Sequence, residues 1–161
     1  MTLPENDSQI LKLSDEFYKR YPNPPNVEIL KKQKRAYNCL LFQTHYNYFI
    51  CIPYRSNISH PYSFLFRKSK RSTISKSGLD YTKILILNKT KYLDSKDALI
   101  DKDEFNETMC NLDKIKKDAL TYVEDYVAIL KKKKTIHPSE FKRKYGRSSL
   151  KYFHKELGIS V

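Results

Sequence analysis

The stretch Ile52-Pro53-Tyr54-Arg55-Ser56-Asn57-Ile58-Ser59-His60 carries the densest set of charge-stabilising and proton-carrying groups in this 161-residue chain. Arg55 can fork two oxygens of a phosphate, Ser56 and Asn57 can donate hydrogen bonds to it, and His60 can carry a proton. Lys34, Arg35 and Tyr37 open the apolar segment just upstream, and an antiparallel hairpin would bring them beside the same exit. Metal-dependent phosphodiester chemistry needs several carboxylates converging on a cation. Here Asp80 stands alone, and His45, His60, His137 and His154 are scattered without zinc spacing to Cys39, Cys51 or Cys110. No glycine-rich phosphate loop and no G-x-S-x-G elbow occurs, so neither metal nor cofactor is expected. The toolkit that remains suits RNA, which brings its own nucleophile. Its 2′-hydroxyl can attack the adjacent phosphate and leave a 2′,3′-cyclic phosphate and a 5′-hydroxyl. The protein need only orient the chain, stabilise the phosphorane and help two protons move. His60, Tyr37 and Lys34 all stand open as the general base.

The charge distribution fits an anionic partner. The chain carries +13, and +10 of that lies between Ile29 and Leu79, where no acid occurs. Its cations are Lys31, Lys32, Lys34, Arg35, Arg55, Arg67, Lys68, Lys70, Arg71 and Lys76, interleaved with Tyr37, Phe42, Tyr46, Tyr48, Phe49, Tyr54, Tyr62, Phe64 and Phe66. One sign of charge over that span repels itself, and phosphates relieve it. Interleaved rings that can stack unpaired bases favour single-stranded RNA or DNA over duplex or membrane. Arg35, Asn57, Arg67, Lys68, Lys70, Arg71, Lys76 and Lys83 are the candidate RNA contacts. The plainer reading is that the lysine richness reflects an AT-rich genome and that the Tyr and Phe fill the core, but that does not remove every acid from this stretch.

The elements that must position these groups read as α+β. Ile10–Leu13 is a short strand, and Ser14 is placed to cap a helix over Asp15–Arg20. Tyr37–Gln43 and Tyr46–Tyr54 read as a hairpin turning at Thr44-His45, and both faces of its second strand are apolar, as in a central strand. Ser63–Phe66 is another strand, and Arg67–Ser77 a basic, serine-rich loop. Gly78-Leu79-Asp80 leads into an apolar strand over Tyr81–Leu87. From Asp103 to about Lys132, Phe105, Met109, Leu112, Ile115, Ala119, Val123, Tyr126 and Leu130 recur at intervals of three or four, which predicts one long amphipathic helix. A short helix begins at Pro138 and ends at Tyr145. A last one, capped by Ser148 or Ser149, ends at Leu157 before Gly158. One domain over 1–161 is expected, basic and β-rich over about 10–95 and helical over about 103–158. No apolar run spans a membrane, the N-terminus lacks a signal-peptide pattern, and the cysteines form no C-x-x-C; a cytoplasmic protein is expected.

Lys34-Arg35-Ala36-Tyr37, the hairpin, and Ile52-Pro53-Tyr54-Arg55-Ser56-Asn57 followed by His60 resemble the ToxN/TenpN family of type III toxin–antitoxin ribonucleases. Gly78-Leu79-Asp80-Tyr81-Thr82-Lys83, the long helix and the ending Ser149-Leu150-Lys151-Tyr152-Phe153-His154-Lys155-Glu156-Leu157 are most similar to the TenpN branch. The resemblance implies a compact, strongly bent antiparallel sheet or barrel of the ToxN/MazF kind flanked by helices. It implies metal-independent RNA cleavage by 2′-hydroxyl attack, inhibition by a small structured antitoxin RNA processed from tandem repeats, and cellular or phage RNA as substrate. A ring-like protein–RNA assembly and a role in phage defence, abortive infection or growth arrest follow from the same likeness. ToxN proteins carry a Pro-x-Thr-Ser-Pro-Lys segment at this strand exit. Here Arg55 stands at the Thr, Ser56 at the Ser, Asn57 at the Pro and Ile58 at the Lys, so Arg55 would take the role of the phosphate cation.

Two other classes compete. An all-helical ribonuclease of the HEPN type uses R-x(4–6)-H, matched literally by Arg55 to His60 and by Arg147 to His154. A non-catalytic RNA- or DNA-binding module could use a helix-turn-helix built from Phe141–Tyr145 and Arg147–Glu156.

Overall fold

The structure, a computed structural model, describes residues 8–30, 38–97 and 100–160. Lys34, Arg35 and Tyr37 lie outside the described residues. Seven strands and five helices give the α+β class expected: β1 (Ser8–Leu13), α1 (Asp15–Arg20), β2 (Asn38–Gln43), β3 (Phe49–Arg55), β4 (Ser63–Leu65), α2 (Lys70–Ile74), β5 (Gly78–Asp80), β6 (Leu85–Leu87), β7 (Leu93–Asp97), α3 (Lys102–Cys110), α4 (Leu112–Leu130) and α5 (Pro138–Tyr145). All strand pairs are antiparallel, in the order β4-β5-β3-β2-β1-β7, with β6 also on β3. β4 and β7 end that order without pairing to each other, so among the described residues the sheet is an open one rather than a closed barrel.

The hairpin forms because β2 and β3 are apolar on both faces and are covered on both sides. Leu40 pairs with Ile52 and Phe42 with Ile50, and Cys39–Phe42 and Ile50–Tyr54 are all buried. β3 starts at Phe49 rather than Tyr46. The Thr44 hydroxyl accepts from the Tyr46 amide (3.1 Å) and donates to the Tyr48 carbonyl (2.8 Å), which closes 44–48 into a loop of its own. On its other edge β3 pairs Phe49–Cys51 with β6 and Tyr54–Arg55 with β5. Ile52 and Pro53 fall between those two ladders, where the partner chain leaves the sheet in a 3-10 turn over Tyr81–Lys83. A proline, which has no N–H to give, is accommodated in a central strand at such an interruption. The strand expected over Tyr81–Leu87 is therefore cut short, and its first four residues are carried out of the ladder.

The long helix is also divided. Asn111, at φ −117 and ψ 17, separates α3 from α4, and its side-chain amide donates to the Glu107 carbonyl at 2.8 Å. α4 buries Ile115, Ala119, Tyr122, Val123 and Tyr126 as its periodicity requires. α3 does the reverse, burying Glu104, Glu107 and Thr108 while Phe105 and Met109 face solvent. The Ser14 hydroxyl does not cap α1 but donates to the Lys91 carbonyl at 2.8 Å. The last helix expected is a 3-10 turn over Ser149–Tyr152 with a further turn ending at Gly158, where φ is 71. Leu150 and Phe153 bury fully, and the Ser149 hydroxyl donates to the Ile84 carbonyl (2.5 Å), fastening this turn to the start of β6. No helix among the described residues is long and apolar enough to cross a membrane.

Candidate active site at the exit of the third strand

β5 sets Gly78 opposite Arg55 and Leu79 opposite Tyr54, so the next residue, Asp80, comes level with Pro53, two residues back from the end of β3. The Asp80 carboxylate is fully buried, accepts three hydrogen bonds and has His60 within ion-pair distance. Arg55 Nη1 donates to Oδ2 at 2.8 Å. Oδ1 accepts from the Thr82 amide (2.9 Å) and from the Thr82 hydroxyl (2.6 Å), and His60 Nε2 lies 3.1 Å from it, within ion-pair distance. The 3-10 turn makes this possible, because Asp80 is its N-cap and the turn folds Thr82 back onto the carboxylate. Burying a carboxylate is costly unless its oxygens are paired and hydrogen-bonded in this way. Arg55 remains a third exposed and keeps donors free for a ligand.

His60 Nδ1 accepts from the Tyr62 amide at 3.1 Å, which puts the ring proton on Nε2, where it donates to the Thr82 hydroxyl (3.4 Å) beside Asp80. Both ring nitrogens are thus engaged within the protein. Between Arg55 and His60 the chain is pinned by Ile58, which is buried and donates its amide to the Lys76 carbonyl at 2.8 Å. That anchor leaves Ser56 half-buried and Asn57 exposed on the outside of the bend. Asn57 takes φ 59, in the left-handed region that asparagine tolerates better than most residues. The Ser56 hydroxyl makes no hydrogen bond among the described residues, so it is available to an incoming oxygen.

The basic loop is held by acids from α3. The Glu107 carboxylate accepts from the Arg67 and Lys68 amides (2.8 and 2.9 Å), and Asp103 accepts from the Lys70 amide (2.9 Å). Glu104 accepts from the buried Ser77 hydroxyl (3.2 Å) and lies 3.8 Å from Arg71, which also meets Asp101 at 3.6 Å. Burial pushes the Glu104 carboxyl up, and Arg71 and Ser77 oppose that rise. The charge of the acid-free stretch is therefore compensated in part from within the chain, not by an external anion alone. What α3 takes up is largely backbone, and the side chains of Arg67, Lys68, Lys70 and Lys76 are exposed without an ion pair among the described residues. A groove of about 910 Å³ between β4 and the α3–α4 corner is lined by Arg67 and Lys68 and by Pro61, the neighbour of His60.

The structure thus gathers Arg55, Ser56, Asn57 and His60 at one end of β3, with Arg67 and Lys68 along the adjoining groove. Lys83 is not among the exposed cations: it is buried, paired with Glu28, and donates to the Arg147 carbonyl at 2.8 Å. Asp80 and Thr82, which orient the site, did not stand out from residue type, although Asp80 is the first acid after the acid-free stretch. That position was the available signal. Glu104 and Glu107 were hidden on what periodicity assigned as the polar face of a helix.

The all-helical alternative fails on the seven-stranded sheet, which contains Arg55 itself. Its second match is no better placed. Arg147 is exposed, and His154 Nε2 bonds the Tyr126 hydroxyl at 2.6 Å inside the aromatic packing of α4 and α5, where burial lowers the imidazole's basicity. The helix-turn-helix lacks its second helix, since only a 3-10 turn follows α5 and it is packed inward through Leu150 and Phe153. Among the described residues no three His, Cys, Asp or Glu side chains converge as a metal site. Comparison with known proteins finds no match, neither a family model nor a curated protein nor a solved structure.

Proposed function

We propose that this chain is a metal-independent endoribonuclease, the toxin of a type III toxin–antitoxin pair of the ToxN/TenpN kind. The observation that carries the reading is the Asp80-anchored Arg55 beside a Ser56 hydroxyl that makes no hydrogen bond among the described residues; the exposed Arg67 and Lys68 line a groove that begins at Pro61 and also carries Asp103, Glu107 and Asp118. The 2′-oxygen attacks the phosphorus as its proton leaves to a base. The P–O5′ bond then breaks, and the departing 5′-oxygen takes up a proton. Arg55, Ser56 and Asn57 stabilise the crowded phosphorane between those steps. Asp80, Thr82 and His60 hold Arg55 in place. His60 can carry a proton only by releasing the Tyr62 amide at Nδ1, so Lys34 and Tyr37 stand beside it as candidates for the base. A folded repeat-derived RNA would inhibit by occupying the same groove, and release of the toxin would arrest growth or abort phage infection.

The test is incubation of the purified protein with single-stranded RNA in EDTA, followed by mapping of the ends. Cleavage leaving cyclic phosphates and 5′-hydroxyls is expected; intact RNA at high protein excess overturns the reading. The engagement of both His60 nitrogens favours a second reading, an RNA-binding module without catalysis, and the same assay separates the two. Tandem short repeats directly upstream of the gene would support the toxin assignment.

Ser56→Ala should lower the cleavage rate by about a hundredfold, the scale of one lost phosphorane donor. RNA affinity should hold within about twofold, because every cation survives. A filter-binding titration beside a cleavage time course checks both halves. Lys68→Gln, Lys70→Gln and Arg71→Gln together should weaken RNA binding and flatten its salt dependence by about 1.4 in log–log slope. That figure counts Lys68 and Lys70 only, since Arg71 is already engaged by Asp101 and Glu104. An unchanged slope would remove the basic loop from the footprint.

A further inference from the structure

At the opposite end of β3 from Arg55, about 20 Å away by strand rise, the hairpin loop meets the C-terminal end of α4. A cavity of about 590 Å³ there is lined by Tyr46, Tyr48, Glu124, Val127, Lys131 and Lys133. The Tyr46 and Tyr48 rings are nearly parallel, at 7° with centroids 5.4 Å apart, and the His45 ring follows at 4.1 Å from Tyr46. Tyr48 is buried at 8% exposure while Tyr46 is 41% exposed, so the run of rings leads from the core out to solvent. The Tyr46 hydroxyl donates to Glu124 at 2.5 Å, which fixes the ring, and the Thr44 bonds fix the loop beneath it. Asp125 is neutralised by Lys134 (2.9 Å) and Lys144 (3.5 Å). Lys131 and Lys133 are exposed with no ion pair among the described residues. They sit where the carbonyl end of α4 would otherwise repel an anion.

We propose that this corner is a stacking pocket for an unpaired purine of single-stranded RNA, with Lys131 and Lys133 on the flanking phosphates. A purine offers the larger π-face to the run of rings, and stacking of this kind requires a base free of its partner strand. A duplex keeps its bases enclosed and could meet only the lysines. The inference rests on the reading that the chain binds single-stranded RNA, but not on its cutting RNA. A strand bound at both ends of β3 is held at two points, so register at Arg55 is set in part from here.

The probe is a ten-nucleotide 2′-O-methyl oligonucleotide with one central 2-aminopurine, which cannot be cut by its own 2′-oxygen. The parent protein should quench its fluorescence through stacking. Tyr46→Leu should abolish the quench and weaken binding about tenfold. Tyr46→Phe, which keeps the ring and loses the Glu124 bond, should retain both. Lys131→Gln with Lys133→Gln should lower the salt slope and leave a residual quench. An unchanged quench and affinity in Tyr46→Leu overturns the pocket, as does equal affinity for a duplex of the same length. If the EDTA assay fails while the quench depends on Tyr46, the ribonuclease reading falls and this pocket stands. Normal cleavage with a Tyr46-independent quench gives the converse.

Discussion

Asp80→Asn should lower the thermal midpoint by roughly 6–12 °C, as expected for about 3 kcal/mol in a chain of this length. The carboxylate has no exposed surface and satisfies three donors, Arg55 and the amide and hydroxyl of Thr82, with His60 Nε2 3.1 Å away. An asparagine keeps one acceptor oxygen and turns an NH2 toward either the guanidinium or the His60 and Thr82 donors. Donors are left facing a donor whichever way it flips. Because Arg55 is a third exposed, water recovers part of the loss, which sets the figure at the low end for a broken buried pair. Cleavage should fall further than Ser56→Ala takes it, by about 10²–10³, because Arg55 is freed to move and Thr82 no longer closes the turn. Adding Arg55→Gln to Asp80→Asn should restore some stability, since two neutral amides can bond each other, and none of the activity. Melting curves and cleavage rates for the two single variants and the double form the cycle that measures the coupling. A midpoint within about 2 °C of the parent in Asp80→Asn would mean that the carboxylate is not the anchor.

That residue also marks where reading the sequence succeeds and where it runs out. The β2–β3 hairpin, α5 and the buried face of α4 were legible because each obeys one local rule: a run of β-favouring apolar residues, a proline in the first helical turn, or a 3.6-residue period; α1 was legible too, although Ser14 does not cap it. The bend carrying Arg55, Ser56 and Asn57 was legible because polar groups cluster where an apolar strand ends. Asp80 was seen, but only as an acid too isolated to hold a metal. Its partners are Arg55 and His60, from β3 and the bend after it, and Thr82, from the 3-10 turn that interrupts the strand, so no single local pattern joins them. α3 failed for a different reason. Periodicity assumes that the apolar face goes inward, yet the backbone amides of the 67–70 segment needed acceptors, and Glu107 and Asp103 supply them. Phe105 and Met109 are left outside as a consequence. Lys83 looked like one more cation in a basic chain, and only the pairing with Glu28 takes it out of the footprint.

Gly78→Ala should disrupt the site more severely than any surface change, although residue 78 contributes no side chain to it. Gly78 pairs with Arg55 on one side and Leu65 on the other, and a Cβ there would lie 2.0 Å from the Phe64 carbonyl oxygen and 3.0 Å from the Leu65 Cα. Both are backbone atoms, so no rotamer change relieves the overlap and β4 itself must move. β4 is the weakest point at which to do so, being a three-residue strand at the edge of the sheet. The expected cost is about 3 kcal/mol or more, the upper range for overpacking, and it should appear as local opening before global unfolding. Hydrogen exchange should accelerate first at the Phe66 and Tyr81 amides, which bond Ser77 and Tyr62 across the displaced segment, while Leu40–Phe42 stay protected. Cleavage should fall with it, because Tyr62 holds His60 and His60 holds Asp80. Gly158→Ala is the control. Gly158 has φ 71, so an alanine there should cost only about 1 kcal/mol of backbone strain, at a turn that does not touch the site. If Gly78→Ala melts like the parent and exchanges no faster at Phe66, β4 is not seated against β5 as described, and the geometry of the loop from His60 to Phe66 falls with it.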